Sequence, residues 1–196
     1  VTHDQAEALT LGDLVAVMED GIVRQVGTPR DIYDRPQDLF VAAFLGTPPM
    51  NLAEATVEPG DDGTTLRLGS HRLVLEGVGE GLAAGQQVVV GVRPEHVRLA
   101  RPDHDPRNVI TVPVSRREHV ASEAYLRFTM DAPLLMERDP REALIDESDP
   151  WAAERPNTFI ARIDVEAEVR DGTSVDLFVD PAHVHLFDPA TELAIR

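Results

Sequence analysis

From Leu52 to Phe187 most of the chain consists of short apolar segments of strand length, separated by turns rich in Gly, Pro and Asp. Aromatic residues are few, so a core must be built mainly from Val, Leu, Ile and Ala. Many short strands at this spacing are typical of a small barrel or sandwich. The predicted strands are Leu52–Glu58, Thr64–Leu68, His71–Leu75, Gln87–Arg93, Val109–Arg116, Ala124–Thr129, Thr158–Val169, Ser174–Val179 and Val184–Phe187. The sequence therefore predicts a mainly β fold.

Residues 1–46 have a different pattern, which is typical of an α/β unit. Asp20-Gly21 is a strong turn signal between two predicted strands, and Thr28-Pro29 predicts a helix start because Pro is favoured at the first helical position. The predicted elements are a helix over Asp4–Leu11 with Asp4 as its cap, a buried strand over Leu14–Asp20, a strand over Ile22–Val26, and helices from Pro29 to about Arg35 and over Gln37–Leu45.

The pattern changes at Thr47-Pro48-Pro49, a Pro-rich joint that is the best candidate for a domain boundary. We therefore divide the chain into residues 1–46 and residues 47–196. Within the second part, residues 137–157 are charged, rich in Pro and without alternation. We interpret them as an exposed loop.

Composition excludes several classes of function. The net charge is −17, from 35 acidic and 18 basic residues, which argues against nucleic-acid binding because a phosphate backbone attracts positive surface. There is no Cys, so thiolate metal sites and disulfides are excluded. All the basic residues are Arg, and a P-loop needs a Lys to reach the β- and γ-phosphates, so these residues contain no P-loop.

Several motifs resemble those of the ATP-hydrolysing subunits of sugar-type ABC importers, such as the maltose, trehalose and glycerol-phosphate importers. THDQAEA, DGIVRQVGTP and FLGTPPMN occur in the order found at the end of the family's nucleotide-binding domain. GVRPEHV at 91–97 and HVHLFDPATELAI at 183–195 resemble its C-terminal transport-associated domain. The resemblance implies an OB-like or MOP-like regulatory barrel, preceded by a short α/β remnant of the nucleotide-binding domain.

The resemblance also implies roles for residues and partners. His3 aligns with the family's switch histidine, which contacts the γ-phosphate of ATP, and is the candidate catalytic and cofactor-binding residue. ATP and Mg²⁺ are expected in the full-length subunit and not in this fragment, which lacks the P-loop, the Gly-Gly signature and the catalytic acid. Expected partners are a second ATPase subunit and the membrane permease subunits, on the cytoplasmic face of the membrane, and no nucleic acid.

Two groups of residues allow alternative interpretations. His183 and His185 would share a face of a strand and could begin a metal site, but we interpret them as part of the barrel wall beside Phe187 and predict no metal site. Arg93, Glu95 and His96 have either a structural role, with Glu95 accepting backbone hydrogen bonds at a turn, or a contact with a partner or effector.

The expected function of the chain is regulation and dimerisation of the importer ATPase. The alternative is a barrel that senses a small oxyanion or sugar. The strands of residues 1–46 have few predicted sheet neighbours, so we expect unpaired edges and exposed apolar faces there, in a segment that is destabilised, swapped or packed on a neighbour.

Overall fold

A computed structural model describes residues 1–132 and 158–196, apart from residues 3, 61, 62, 78, 80 and 121. The predicted switch residue His3 and the predicted loop at 137–157 lie outside the described residues. Three helices are described, all near the N-terminus: α1 (Gln5–Leu11), α2 (Pro29–Asp34) and α3 (Leu39–Phe44). None of the described helices is long and apolar enough to cross a membrane.

The strands confirm a mainly β fold, and every strand pair is antiparallel. The strands are β1 (Val15–Glu19), β2 (Ile22–Gly27), β3 (Asn51–Glu58), β4 (Thr64–Leu68), β5 (His71–Leu75), β6 (Gln87–Val92), β7 (Val97–Leu99), β8 (Val109–Val120), β9 (Glu123–Thr129), β10 (Thr158–Ile163), β11 (Ser174–Val179), β12 (Val184–Phe187) and β13 (Ala194–Ile195).

Two sheets enclose one apolar core and form a nearly closed, OB-like barrel. One sheet has the order β10-β9-β8-β11-β7, and the other has the order β13-β12-β6-β3-β4-β5. Buried side chains from both sheets meet in the core, as Leu66 of β4, Leu126 of β9 and Leu177 of β11 show. The barrel interior is therefore filled mainly by aliphatic residues, as the composition predicts.

Two buried asparagines tie the sheets together. Asn51 of β3 donates to the carbonyl of Ile160 in β10 over 2.8 Å and accepts from the N–H of the same residue over 2.7 Å. Asn108 accepts from the N–H of Val74 in β5 over 2.8 Å and donates to its carbonyl over 3.1 Å. The outer side of an edge strand has no neighbouring strand to pair with, and each side-chain amide takes the place of that missing backbone partner.

Two similar turns carry the chain from one sheet to the other. The first turn, Pro94–His96, connects β6 to β7, and the second turn, Pro181–His183, connects β11 to β12. Both are 3₁₀ turns that begin with Pro, whose fixed φ suits this geometry. The strands exchange partners across them, because β6 pairs with β12 and β11 pairs with β7. The two turns therefore lie side by side in a locally symmetric arrangement.

The N-terminal elements begin where capping residues predict. Asp4, Thr28 and Asp38 each accept a backbone N–H in the first turn of α1, α2 and α3. Asp20 and Gly21 both have positive φ, 47° and 82°, which is the conformation of a tight hairpin turn between β1 and β2. The sequence chemistry thus sets the local structure of this segment.

The packing of the N-terminal segment differs from the prediction in one respect. The strand predicted as buried is largely open to solvent: only Val17 of β1 is buried, whereas Leu14 and Met18 are 69% and 52% exposed. The hairpin is a separate two-stranded sheet, so its second face has no layer packed on it among the described residues. The expected exposure of apolar faces in this segment is confirmed.

Two further differences concern strand bounds. The strand predicted over Thr158–Val169 ends at Ile163, because Asp164 begins a turn in which it accepts the N–H of Glu166. The short strands β7 and β13 were not predicted, since three and two residues carry too little pattern. The remaining barrel strands lie within a few residues of their predicted positions.

Candidate functional site

Arg93 connects the barrel to the N-terminal segment. It follows β6, is 2% exposed, and reaches across to two backbone carbonyls. Its Nη1 donates to the carbonyl of Leu45 over 2.5 Å and its Nη2 donates to that of Tyr33 over 2.7 Å. Its guanidinium carbon also lies 3.5 Å from the centroid of the Tyr33 ring, which is a cation–π contact. One barrel side chain therefore holds the ends of both α2 and α3.

Glu95 completes this contact. The hydroxyl of Tyr33 donates to its Oε1 over 2.6 Å. Burial raises the pKa of Tyr33 to about 12, with Arg93 opposing the rise and the Glu95 hydrogen bond adding to it. We expected Glu95 to accept backbone hydrogen bonds at the turn, whereas its described hydrogen bond comes from the Tyr33 side chain. We call Arg93, Tyr33 and Glu95 the clamp.

The start of α3 forms a second contact with the barrel. The N–H of Leu39 donates to the carbonyl of Glu192, and the N–H of Ala194 donates to the carbonyl of Gln37. The apolar side of α3 packs with Met50, Leu52, Val89 and Phe187 of the barrel. Helix α3 is therefore part of the barrel's own packing, although it precedes the Pro-rich joint.

The two turns bring two histidines together. The rings of His96 and His183 stack with centroids 3.8 Å apart and planes 8° apart. Asp180, just before the second turn, lies 3.2 Å from Nδ1 of His183 and 2.9 Å from Nη2 of Arg98. Burial lowers the pKa of His96, and the neighbouring His183 lowers it further. The cluster holds two imidazoles and one carboxylate.

His185 does not share a strand face with His183, because His183 ends the second turn and precedes β12. His185 lies on β12 with its ring centroid 6.4 Å from that of Phe187, so its position beside Phe187 in the barrel wall is confirmed. Burial lowers its pKa to about 4, and the nearby Arg93 charge adds to this. It lines a cavity of about 210 Å³ together with Asp34 and Arg35.

The predicted site residues are only partly brought together. Arg93, Glu95 and His96 all lie at the first 3₁₀ turn of the barrel. Arg93 and Glu95 form the clamp with Tyr33, whereas His3 is outside the described residues. Sequence reasoning missed Tyr33 and Asp180, which come from distant segments. One signal was available: RPEHVRL at 93–99 and DPAHVHL at 180–186 share a Pro-x-His-Val pattern.

Comparison with known sequences identifies the class of domain to which the barrel is similar. Residues 46–97 match the sequence profile of the MalK OB fold domain. That segment includes β3 to β6, the first turn, and both barrel residues of the clamp.

Over its whole length the chain is homologous to ATP-binding subunits of sugar ABC importers. The trehalose import ATP-binding protein SugC of Mycobacterium tuberculosis (strain CDC 1551 / Oshkosh) is 38% identical, over 96% of this chain and 48% of that protein. The trehalose/maltose import ATP-binding protein MalK of Thermococcus litoralis is 34% identical, over 100% of this chain and 47% of that protein. The sn-glycerol-3-phosphate import ATP-binding protein UgpC of Yersinia pestis is 31% identical, over 100% and 46%.

These comparisons confirm the resemblance read from the motifs. The chain spans about half the length of the curated relatives it matches. Among solved structures, the cytoplasmic molybdate-binding protein ModG with molybdate bound has a TM-score of 0.47 and 19% identity, covering 69% of this chain and 94% of that one. A similarity at this score supports no statement about a shared ligand.

Proposed function

We propose that the chain is the C-terminal region of the ATPase subunit of a sugar ABC importer, in which the barrel regulates the nucleotide-binding domain through the clamp. The clamp carries the proposal. Arg93 and Glu95 belong to the barrel, and they grip the ends of α2 and α3 in the segment that resembles the nucleotide-binding domain. A movement of either part must therefore move or break these contacts.

The exposed surface of the N-terminal segment supports the same proposal. Leu11, Leu14, Ile22, Val23 and Val26 are each more than half exposed. Large apolar side chains that are exposed together in one short segment are typical of a surface that meets another protein layer. In the proposed subunit that layer is the rest of the nucleotide-binding domain, which holds the P-loop, the signature and the catalytic acid.

The remaining functional assignments follow from the proposed parent subunit. ATP and Mg²⁺ bind in the full-length subunit, and His3 contacts the γ-phosphate there. Two ATPase subunits pair, and they contact the permease subunits on the cytoplasmic face of the membrane. Because the chain has a net charge of −17, a dimer surface in this region must be locally apolar or formed by ion pairs.

The experiment compares the full-length subunit, assembled with its permease partners, as wild type, His3→Ala and Arg93→Gln. We expect His3→Ala to abolish ATP hydrolysis while ATP binding persists. Arg93→Gln should still hydrolyse ATP, but the barrel should restrain the nucleotide-binding domain less. The rate of hydrolysis without transport substrate should therefore rise. His119→Ala, which removes an exposed histidine on β8 and none of the clamp contacts, is the control. Unchanged hydrolysis in His3→Ala would contradict the catalytic assignment, and an unchanged basal rate in Arg93→Gln would contradict regulation through the clamp.

Self-association has its own test. Light scattering of the chain across a salt series should show pairing that strengthens as salt screens the negative charge. A strict monomer at high concentration and high salt would count against a dimerisation role.

The alternative function, a ligand-sensing barrel, is not favoured by the barrel interior. The cavity between the sheets is about 30 Å³, which is room for about one water. Its lining is almost wholly apolar, with residues such as Leu73, Val90 and Phe128. Sites for small molecules are typically about 300–1,000 Å³, so a sugar does not fit inside the barrel.

A further inference from the structure

The cluster at the two turns has the composition of a metal site. His96, Asp180 and His183 each offer one donor atom, and these atoms all lie within 4.8 Å of one another. Two imidazoles and one carboxylate form a ligand set that suits zinc and related divalent transition metals and leaves a fourth position for water. The clamp does not use these three side chains.

The backbone holds the three residues in a fixed relation. The N–H of Asp180 donates to the carbonyl of His96 over 3.0 Å, which continues the pairing of Val179 with Val97. The histidines end equivalent turns, each two residues after a Pro. The backbones of all three ligands are therefore held at one edge of the barrel, so only side chains need to move to meet a metal.

We propose that His96, Asp180 and His183 bind one divalent transition metal ion, with zinc as the best match. Each imidazole offers one ring nitrogen as a ligand, and the neutral imidazole is the form that binds a metal. The carboxylate of Asp180 supplies the negative charge. This proposal does not depend on the proposed function of the parent subunit.

Metal binding requires a small movement of the histidine side chains. Bonds of about 2.0–2.1 Å to zinc place tetrahedral donors about 3.3 Å apart, and the present donor atoms lie within 4.8 Å of one another. The lone pairs of the stacked rings lie in parallel planes, so they meet at one ion only after the stack opens. The side chain of His183 is 50% exposed, so it can move out of the stack toward solvent. Arg98 competes for Asp180, since its guanidinium lies 2.9 Å from Oδ2.

The test is a titration of the chain with Co²⁺, followed by competition with Zn²⁺. We expect one ion per chain, with the intense visible absorption of tetrahedral cobalt, and full displacement by zinc. His96→Asn and His183→Asn should each weaken binding at least tenfold. His119→Asn, which removes an exposed histidine on β8, should bind as the wild type does. Arg98→Gln should bind several-fold more tightly, because the competing cation is gone.

Circular dichroism of each variant shows whether it is folded. If His96→Asn unfolds, the exposed His183 decides the question alone. Binding that is equally strong in His183→Asn and His119→Asn would overturn the proposal, because the ion would then sit elsewhere among the acidic residues. Weak octahedral cobalt bands, or no binding at the protein concentration used, would also overturn it. Weaker binding in Arg98→Gln would contradict the role given to Asp180.

Discussion

The barrel and the N-terminal segment differ in how they bury apolar surface. The barrel encloses a continuous core from two sheets, with residues such as Leu126 and Leu177 fully buried. The N-terminal segment has a small cluster around Val17, Ile32 and Val41. Most of the exposed large hydrophobic side chains in the described residues precede residue 27. The barrel therefore buries most of its own apolar side chains, whereas the N-terminal segment leaves many of them exposed.

The packing places the boundary of the barrel unit before the Pro-rich joint. Helix α3 precedes the Pro-rich joint, yet Leu39, Ala42 and Ala43 pack on the barrel. The clamp adds the ends of α2 and α3 to the same unit. The hairpin of β1 and β2 attaches to this unit through the ion pair of Arg24 with Asp38 and through the small apolar cluster described above. Residues from about 29 onward therefore share the stability of the barrel, and residues before them depend on other contacts.

The largest expected effect compares one residue type in both regions. Leu126→Ala, in the barrel core, should lower the free energy of unfolding by about 2–5 kcal/mol through lost burial and a residual cavity. Leu14→Ala, at a site that is 69% exposed, should change it by less than about 0.5 kcal/mol. Urea denaturation of both variants measures the contrast. Equal losses would mean that the hairpin carries as much of the stability as the barrel.

The next effect concerns the tie between the sheets. Asn51→Ala leaves both the N–H and the carbonyl of Ile160 without their side-chain partner, in a buried place. We expect a loss of about 2–4 kcal/mol, since a buried unpaired polar group costs about 1–3 kcal/mol. Asn108→Ala removes the equivalent pair of hydrogen bonds at Val74 and should cost a similar amount. A loss below about 1 kcal/mol in both variants would contradict the account of barrel closure.

The clamp gives a smaller and more local effect. Arg93→Gln removes the hydrogen bonds to Leu45 and Tyr33 and should weaken the joint by about 1–3 kcal/mol. Hydrogen exchange should become faster in α2 and α3 and stay unchanged in β9. Arg98→Gln, a change in an exposed arginine nearby in sequence, should leave α2 and α3 as they are. Faster exchange throughout the barrel would show that Arg93 supports the barrel rather than the joint.

The smallest effect is a pH dependence. The pKa of Tyr33 is raised by burial to about 12, above its ordinary value of about 10. The neutral hydroxyl is thus favoured in the folded state, so its contribution is complete below pH about 10 and is lost as pH rises toward 12. Tyr33→Phe should cost about 1 kcal/mol at neutral pH, and its difference from the wild type should shrink through this window. A difference that is constant through the window would contradict the burial of this hydroxyl.

The sequence predicts local structure well and long-range contacts poorly. The caps Asp4 and Thr28 and the turn at Asp20-Gly21 act through neighbouring residues, so their patterns identify them. Asn51 pairs with Ile160, which is 109 residues away, and nothing local marks that contact. The family motifs identify the clamp residues Arg93 and Glu95 but not their partner Tyr33.

The prediction that β1 is buried is wrong for a related reason. An apolar run predicts that a strand is covered, but the run does not say which part of the protein covers it. The same limit applies to the cluster at the turns. His183 and His185 are two residues apart, and a 3₁₀ turn rather than a strand decides which of them meets His96.

The barrel, together with α2 and α3, forms one stable unit, and α1 and the β1–β2 hairpin are held to it more weakly. Hydrogen exchange of the chain, resolved along the sequence, measures this contrast. We expect strong and similar protection in β6, β9 and α3, and fast exchange in residues 5–27. Uniform protection from residue 5 to residue 46 in a monomer would contradict it.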